Sequence, residues 1–343
     1  MQEHTITPQA ALHKLLDRTD LSRDEMLAVM HGIMSGAYTH AQIAGILIAL
    51  RMKGETVEEI AAAAEVMRGL STKVTVKTDA YLVDTCGTGG DGIQTFNVST
   101  VSAIVAAAAG AKVAKHGGRS VSSTCGSADV LEALEVNVNL TPTQVAHCVD
   151  SIGIGFMFAP NHHSAMKHAA PVRRELGVRT LFNLLGPLTN PAGAKRQVMG
   201  VFDRSLTGKL ARVLQQLGSE HVLVVHGADG MDEISFAGDT YVAELKDGQV
   251  SEYVLNPQQF GLALHQAESI RVQNAEESKA IILAVLDGQP GPARDIVLLN
   301  AGAAIYVAGL APSLLDGIAR AAQVIDDGTA REKLTQLSLL SAR

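Results

Sequence analysis

Cysteine is scarce: Cys86, Cys125 and Cys148 are the only three in 343 residues, and none forms a CxxC pair. An odd, widely spaced set excludes a disulfide framework and a cysteine zinc site, and points to free thiols in a reducing compartment. A basic excess is missing too. Lys and Arg number 28 against 35 Asp and Glu, a formal net charge of -7, whereas nucleic-acid and anionic-membrane binders carry surplus positive charge. Such a chain holds a polyanion only through a local cluster of donors and metal. No apolar run approaches the roughly 20 residues that span a bilayer. The longest, around 101–111, is rich in alanine and suits a helix packed in a core. The stretch Met1 to Pro8 is polar, unlike a secretory signal. Internal repeats and Pro-, Gly- or Ser-rich linkers are absent. The expectation is a cytoplasmic protein with no nucleic-acid and no membrane partner.

What is present is a large apolar content, 47% hydrophobic against 18% charged, ordinary for a globular core. At about 150 residues per domain, the length is a prior for two domains. The first seventy residues read as all-helical. Ser22 with Glu25, Thr39 with Gln42 and Thr56 with Glu59 have capping-box spacing, and Thr7 precedes Pro8 at a further helix start. Helices are expected over 8–17, 23–35, 40–52 and 57–69. From about residue 75 the pattern changes. Short apolar strands at 81–85, 113–115, 154–158, 197–202 and 221–226 alternate with helices opening near Ser99, Thr141 and Ser205. That alternation means a parallel sheet with crossover helices. Turn signals Gly238-Asp239 and Asp247-Gly248 mark antiparallel hairpins within 233–255. Helices near 275–288, 293–308, 312–326 and 330–340 close the chain.

The chemistry concentrates after strands, where parallel sheets bind ligands. Asp84-Thr85-Cys86-Gly87-Thr88-Gly89-Gly90-Asp91-Gly92 follows the first strand. Its glycines let main-chain N–H groups approach a phosphate without side chains in the way; the bland reading is a flexible turn. Gly87, Gly89 and Gly92 match GxGxxG, but a dinucleotide site needs a helix at once and an acid about 20 residues on. Here the helix waits, and Lys112, Lys115 and His116 stand in that place. The Walker pattern is absent. Ser99 and Thr100 in Asn97-Val98-Ser99-Thr100 read as caps of the buried helix, offering hydroxyls to an anion. Lys115 through Ser123 crowd donors into a loop of little bulk, a solvated basic loop being the alternative. Asp232-Glu233, ordinarily just solvated, would hold magnesium beside a pyrophosphate. His162, His163 and His168 invite a zinc reading that no HExxH pattern supports. Arg173-Arg174 would hold a carboxylate in paired hydrogen bonds.

Together the strings GTGGD at 87–91, NVST at 97–100, KHG at 115–117, GSAD at 126–129, FAPNHHSAMKH at 158–168, PVRRELGVRTLFNLLGPLTNP at 171–191 and DE at 232–233 resemble the anthranilate phosphoribosyltransferases over almost the whole chain. The resemblance implies an α/β protein. A small N-terminal all-helical domain, 1–72, joined by a helical segment near 165–188, stands beside a larger α/β domain, 73–343, with a mostly parallel central sheet of nucleoside phosphorylase/phosphoribosyltransferase type. It implies an active site between the domains, a homodimer built through the helical domain, and phosphoribosyl transfer from phosphoribosyl pyrophosphate to anthranilate with Mg2+, in tryptophan biosynthesis. By resemblance Gly87, Gly90, Asp91, Thr95, Asn97, Val98, Ser99, Thr100, Lys115, His116, Gly117, Gly118, Arg119, Ser120, Val121, Ser122, Ser123 and Ser127 bind phosphoribosyl pyrophosphate. Gly87, Gly118 and Arg173 bind anthranilate, and Ser99, Asp232 and Glu233 bind the metal. His116 is the candidate for handling the amine proton.

Three positions depart from the family pattern: Gly118 where asparagine is usual, Thr124-Cys125 where lysine-serine is common, and Glu135 where a helix-ending glycine is usual. Rival readings are a nucleoside phosphorylase-like enzyme, a paralogue with another aromatic acceptor, and a non-enzymatic binder of phosphoribosyl ligands. The adjacent acids at 232–233 favour a transferase over a phosphorylase, and the acidic balance argues against a nucleic-acid-associated binder.

Overall fold

A computed structural model describes residues 6–119 and 125–342. The chain forms two compact units. One comprises the segment up to Thr72 with His162–Thr189, the other Lys73–Asn161 with Asn190–Arg343.

The first unit opens with α1 (Pro8–Leu16), α2 (Arg23–Met34), α3 (His40–Lys53) and α4 (Val57–Leu70). Their starts are fixed locally. Thr7 caps α1, and Ser22/Glu25, Thr39/Gln42 and Thr56/Glu59 each close a reciprocal capping box, worth about 1 kcal/mol apiece. α2 packs on α4 and α1 on α3. Glu59 is fully buried and serves both levels. Its Oε2 accepts from Thr56 N at 2.8 Å and Lys53 Nζ at 2.9 Å, while Oε1 accepts from Leu21 N at 2.9 Å. The segment 162–189 adds the helix Ala170–Leu176 on α3 and the turn Phe182–Leu185 on α4. It is stitched in by Thr72 N donating to His162 O at 2.8 Å and Arg68 Nε donating to Leu188 O at 2.6 Å. His162, weighed above as a metal ligand, uses Nδ1 on Thr72 O at 2.9 Å.

The second unit is built on a seven-stranded sheet: β1 (Leu82–Thr85), β2 (Lys112–Gly117), β3 (Ile154–Phe158), β4 (Arg196–Gly200), β5 (His221–Gly227), β6 (Thr240–Lys246) and β7 (Gln249–Leu255), in the order β3-β2-β1-β4-β5-β6-β7. The strands β1 to β5 pair parallel, and β6 and β7 are antiparallel additions. Asp247 and Gly248, with φ of 51° and 73°, make the tight β6–β7 turn whose twist suits a hairpin. Residues 233–239, expected to contribute to hairpins, are a loop. The alanine-rich helix α5 (Val98–Ala108) lies in the core against the helices Pro292–Val307 and Thr329–Ser341. Small side chains permit close packing here. A methyl group at Gly317 would overlap the Gly302 carbonyl of the neighbouring helix. Among the described residues no helix is long and apolar enough to cross a membrane.

Sequence patterning passed over the short helix Ser127–Ala133, α6. It ends in a Schellman arrangement, Glu135 N bonding Glu132 O and Val136 N bonding Leu131 O. The left-handed residue is Glu135, φ 63°.

Candidate active site

In the order β3-β2-β1-β4-β5, the connections from β1 and from β4 run to opposite sides, so the carboxyl ends of β1 and β4 flank a topological switch point. The crevice there is the ligand site of open parallel sheets. The glycine loop leaves β1 into it. Gly89 and Gly90, φ 66° and 82°, take successive left-handed conformations that only glycine adopts without strain. Thr88 N donates to Gly200 O at 2.9 Å, at the end of β4, and Gly89 N donates to Asp232 Oδ2 at 2.8 Å, beyond β5. Gly200 makes this convergence possible: any Cβ there would overlap the Asp232 main chain. Gly87 is similarly confined, since a Cβ added to it would lie 3.0 Å from Asp232 Oδ2 and 3.1 Å from Gly200 O.

Beneath the loop β1 and β2 part. Their ladder ends at Val83↔Val113, whereas β1 follows β4 to Thr85↔Val198. Side chains bridge the gap. Asp84, fully buried, accepts from His116 N at 3.1 Å and from Asn190 Nδ2 at 2.7 Å. Asn190 also donates to Ala114 O at 2.9 Å. Lys115 Nζ donates to Thr85 O at 2.5 Å and to Ser99 Oγ at 3.2 Å. Burial raises the Asp84 carboxyl to about 6, opposed by the charge of Lys115 and the bond from Asn190. Strand alternation sends Lys115 and His116 to opposite faces of the sheet.

Asp91, Asp232, Glu233 and Ser99 converge on the crevice. The Asp232 and Glu233 carboxyls are both held well above the usual range. Burial is the main cause, with the charge of Asp91 acting on Asp232 and that of Asp232 on Glu233. Lys115 and the Ser99 main-chain N–H oppose the shift at Glu233. A cluster of oxygens that repel one another in this way suits a hard divalent cation. Among the described residues no group of three or more His, Cys, Asp or Glu is arranged to hold a metal by itself. Magnesium does not need such a cage; it takes one or two carboxylates plus substrate phosphates. Burial and the charge of Asp84 push the Cys86 thiol up, against formation of a thiolate.

The chain carries two sequence signatures. Residues 9–71 match the glycosyl transferase family helical bundle domain, and residues 79–331 the glycosyl transferase family a/b domain. The anthranilate phosphoribosyltransferase of Methylobacillus flagellatus is 68% identical, covering 98% of this chain and 99% of its own length. That of Chromobacterium violaceum is 62% identical over 98% of this chain and 99% of its own. The crystal structure of the Thermus thermophilus enzyme superposes with a TM-score of 0.92 at 42% identity, covering 97% of this chain and 99% of that one. The Saccharomyces cerevisiae enzyme in complex with PRPP and Mg gives 0.87 at 28% identity, covering 100% and 99%. The chain belongs to the anthranilate phosphoribosyltransferase family.

The family motifs have distinct environments. Asn97, not Ser99 or Thr100, is the N-cap of α5, and its side chain makes no capping bond. This corrects the expected caps: Ser99 Oγ is engaged by Lys115 instead, and Thr100 Oγ1 is buried with no hydrogen-bond partner among the described residues. Val98 is the first residue of α5 and is buried. Thr95 forms an isolated bridge with Arg271. Gly117 packs against Ser127, whose Oγ would lie 3.3 Å from a Cβ there. Among the described residues, the nearest atom to a Cβ added at Gly118 is Ala159 Cβ at 4.0 Å. Arg119 is paired with Asp129 at 2.6 Å and Glu132 at 2.7 Å. Ser120, Val121, Ser122, Ser123 and Thr124 lie outside the described residues. Arg173 belongs to the helical unit, its guanidinium 5.5 Å from the Phe182 ring centroid. Sequence reasoning missed Gly200, Asn190 and any structural part for Asp84. A glycine closing an apolar strand, as in Val198-Met199-Gly200, was the available signal for the first; the other two had none.

Proposed function

We infer that this family member transfers the phosphoribosyl group of phosphoribosyl pyrophosphate to the amine of anthranilate, releasing pyrophosphate, as a step of tryptophan biosynthesis. The observation that carries the reading is the glycine loop at the switch point, latched to Gly200 and Asp232 and backed by Lys115. The 87–92 loop receives the pyrophosphate through main-chain N–H groups other than those of Thr88 and Gly89, which latch the loop, with Asp91, Thr95, Asn97, Val98, Ser99, Thr100, Lys115 to Ser123 and Ser127 completing the phosphoribosyl pyrophosphate site. Ser99, Asp232 and Glu233 would hold magnesium, directly or through its waters; bound there, it offsets negative charge on the leaving pyrophosphate. The pre-set amides strengthen as that charge develops, so they lower the barrier and do not merely tighten binding. The aromatic amine is already nucleophilic, so orientation supplies much of the rest. Arg173 clamps the anthranilate carboxylate, Gly87 and Gly118 line the acceptor, and His116 orients or accepts the amine proton.

A nucleoside phosphorylase has no use for paired acids facing the leaving group. Loss of anthranilate fluorescence that requires both phosphoribosyl pyrophosphate and magnesium supports the transferase reading. Phosphate-dependent release of a base from a nucleoside, with anthranilate untouched, overturns it. Within that assay His116→Ala is expected to lower kcat and Arg173→Ala to raise KM for anthranilate. A wild-type kcat in the former removes His116 from the chemistry, and a wild-type KM in the latter removes the clamp. The protein works as a homodimer in the cytoplasm. The exposed Leu16 and Met52 of the helical unit, 66% and 70% accessible, support the first. Three cysteines that form no disulfide support the second. Sedimentation of the purified chain as a monomer at micromolar concentration would refute the dimer, and recovery of the protein in a non-cytoplasmic cell fraction the location.

A further inference from the structure

Asn97 is bonded on every side by residues far from it in sequence. Its Oδ1 accepts from Ser278 Oγ at 2.8 Å and from Cys125 Sγ at 3.2 Å. Its Nδ2 donates to Cys125 O at 3.3 Å, and its main-chain N donates to Ser278 Oγ at 3.1 Å. The arrangement has only one consistent polarity. A serine hydroxyl has a single proton. Ser278 Oγ accepts from the Asn97 main-chain N–H on one lone pair and donates its proton to Oδ1. The Cys125 main-chain oxygen only accepts, so the atom facing it is Nδ2. The amide is therefore locked in one of its two flip states, with Oδ1 facing the Ser278 and Cys125 donors and one Nδ2 proton uncommitted among the described residues. Ser278 is completely buried and Cys125 nearly so, and unmade hydrogen bonds in such a place cost most. The backbone reinforces the lock. Phe96 N donates to Ile270 O at 3.1 Å and Val272 N donates to Gln94 O at 3.0 Å, so the segment carrying Ser278 also grips the end of the glycine loop.

We propose that Ser278 and Cys125 are positioning residues that lock the Asn97 amide so that it presents only an N–H to the substrate. A side chain that otherwise offers donor and acceptor alike becomes a pure donor. That polarity suits the phosphate and ribose oxygens of an anionic sugar diphosphate, whereas an exposed carbonyl oxygen would repel them. The proposal rests on the reading of this crevice as the phosphoribosyl pyrophosphate site.

The test is steady-state kinetics of the full-length protein with both substrates and magnesium, with Tm measured alongside. Ser278→Ala and Cys125→Ala are expected to raise KM for phosphoribosyl pyrophosphate on the order of fivefold each, as loss of one hydrogen bond implies, with kcat and KM for anthranilate held. Cys125→Ser keeps a donor and restores KM. Asn97→Asp, which presents only acceptors, should raise KM more than Asn97→Ala, and Ser278→Ala should add far less in the Asn97→Ala background, where only its bond from the main-chain N–H is left to lose. If Ser278→Ala destabilises the fold, Cys125→Ala carries the same test through the same oxygen. Unchanged KM in both alanine variants, or an equal KM rise from Ser278→Ala with and without Asn97, overturns the proposal. Absence of any transfer by the wild-type protein would instead overturn the functional reading beneath it.

Discussion

A hydrogen atom in place of a methyl group decides whether the crevice exists. Gly200 ends β4 with the Asp232 main chain against its Cα, so Gly200→Ala must displace the loop carrying the two candidate metal carboxylates, Asp232 and Glu233. Overpacking of this kind typically costs about 1–3 kcal/mol. Gly200→Ala is therefore expected to lower Tm and to raise KM for phosphoribosyl pyrophosphate, and a variant with wild-type values for both would refute the contact's role. Asp84 gives a pH prediction. Its folded-state carboxyl is raised from the ordinary 3.8 to about 6, so the folded chain holds the proton more tightly than the unfolded one. The resulting stabilisation is fully present below the ordinary value and is lost as pH rises through about 6. Urea unfolding of wild type against Asp84→Asn should show the variant gaining relative stability, on the order of 1–2 kcal/mol, between about pH 5 and 7.5. A pH-independent difference would mean that Asp84 titrates normally.

Helix ends were legible because capping is local. Ser22, Thr39, Thr56 and Thr141 each find an acid or amide three residues on, in the sequence and in the structure alike. The helix α6 was not, because its seven residues are too few to set up a periodic apolar face. Its closing residue holds a reserve of stability. Glu135 is exposed, takes φ 63°, and uses its main chain in the Schellman bonds and in accepting from Ser338 Oγ at 2.9 Å. Glycine keeps all of these without the Cβ penalty. Glu135→Gly is expected to raise stability by about 1 kcal/mol with kcat/KM unaltered, as read by denaturant midpoint. A lower midpoint would show that unfolded-chain entropy outweighs the relieved strain.

The whole molecule assembles its site from the ends of neighbouring strands, and ligand linkage should report on that assembly. A ligand at a hundred times its Kd stabilises by about 2.7 kcal/mol. Phosphoribosyl pyrophosphate with magnesium is thus expected to raise Tm, while the sugar diphosphate in excess chelator raises it far less and turnover stops until magnesium is returned. Full activity in chelator would remove Asp232 and Glu233 from the mechanism. The partners in this site are remote: Gly89 meets Asp232 across 143 positions, Asp84 meets Asn190 across 106, and Asn97 meets Ser278 across 181. No local pattern announces such pairs.

Sequence alone determined the helical start, the alternation that makes a parallel sheet, the glycine loop and the adjacent acids. Each depends on neighbours within a turn or on a strand-to-loop junction, so short-range sterics and hydrogen bonding specify them. Tertiary structure alone decided that Gly200 is a contact point, that Asp84 and Asn190 bridge the parting of β1 and β2, and that Ser278 and Cys125 orient Asn97. In these cases a side chain acquires its meaning from a donor, an acceptor or a lack of space that the fold brings to it.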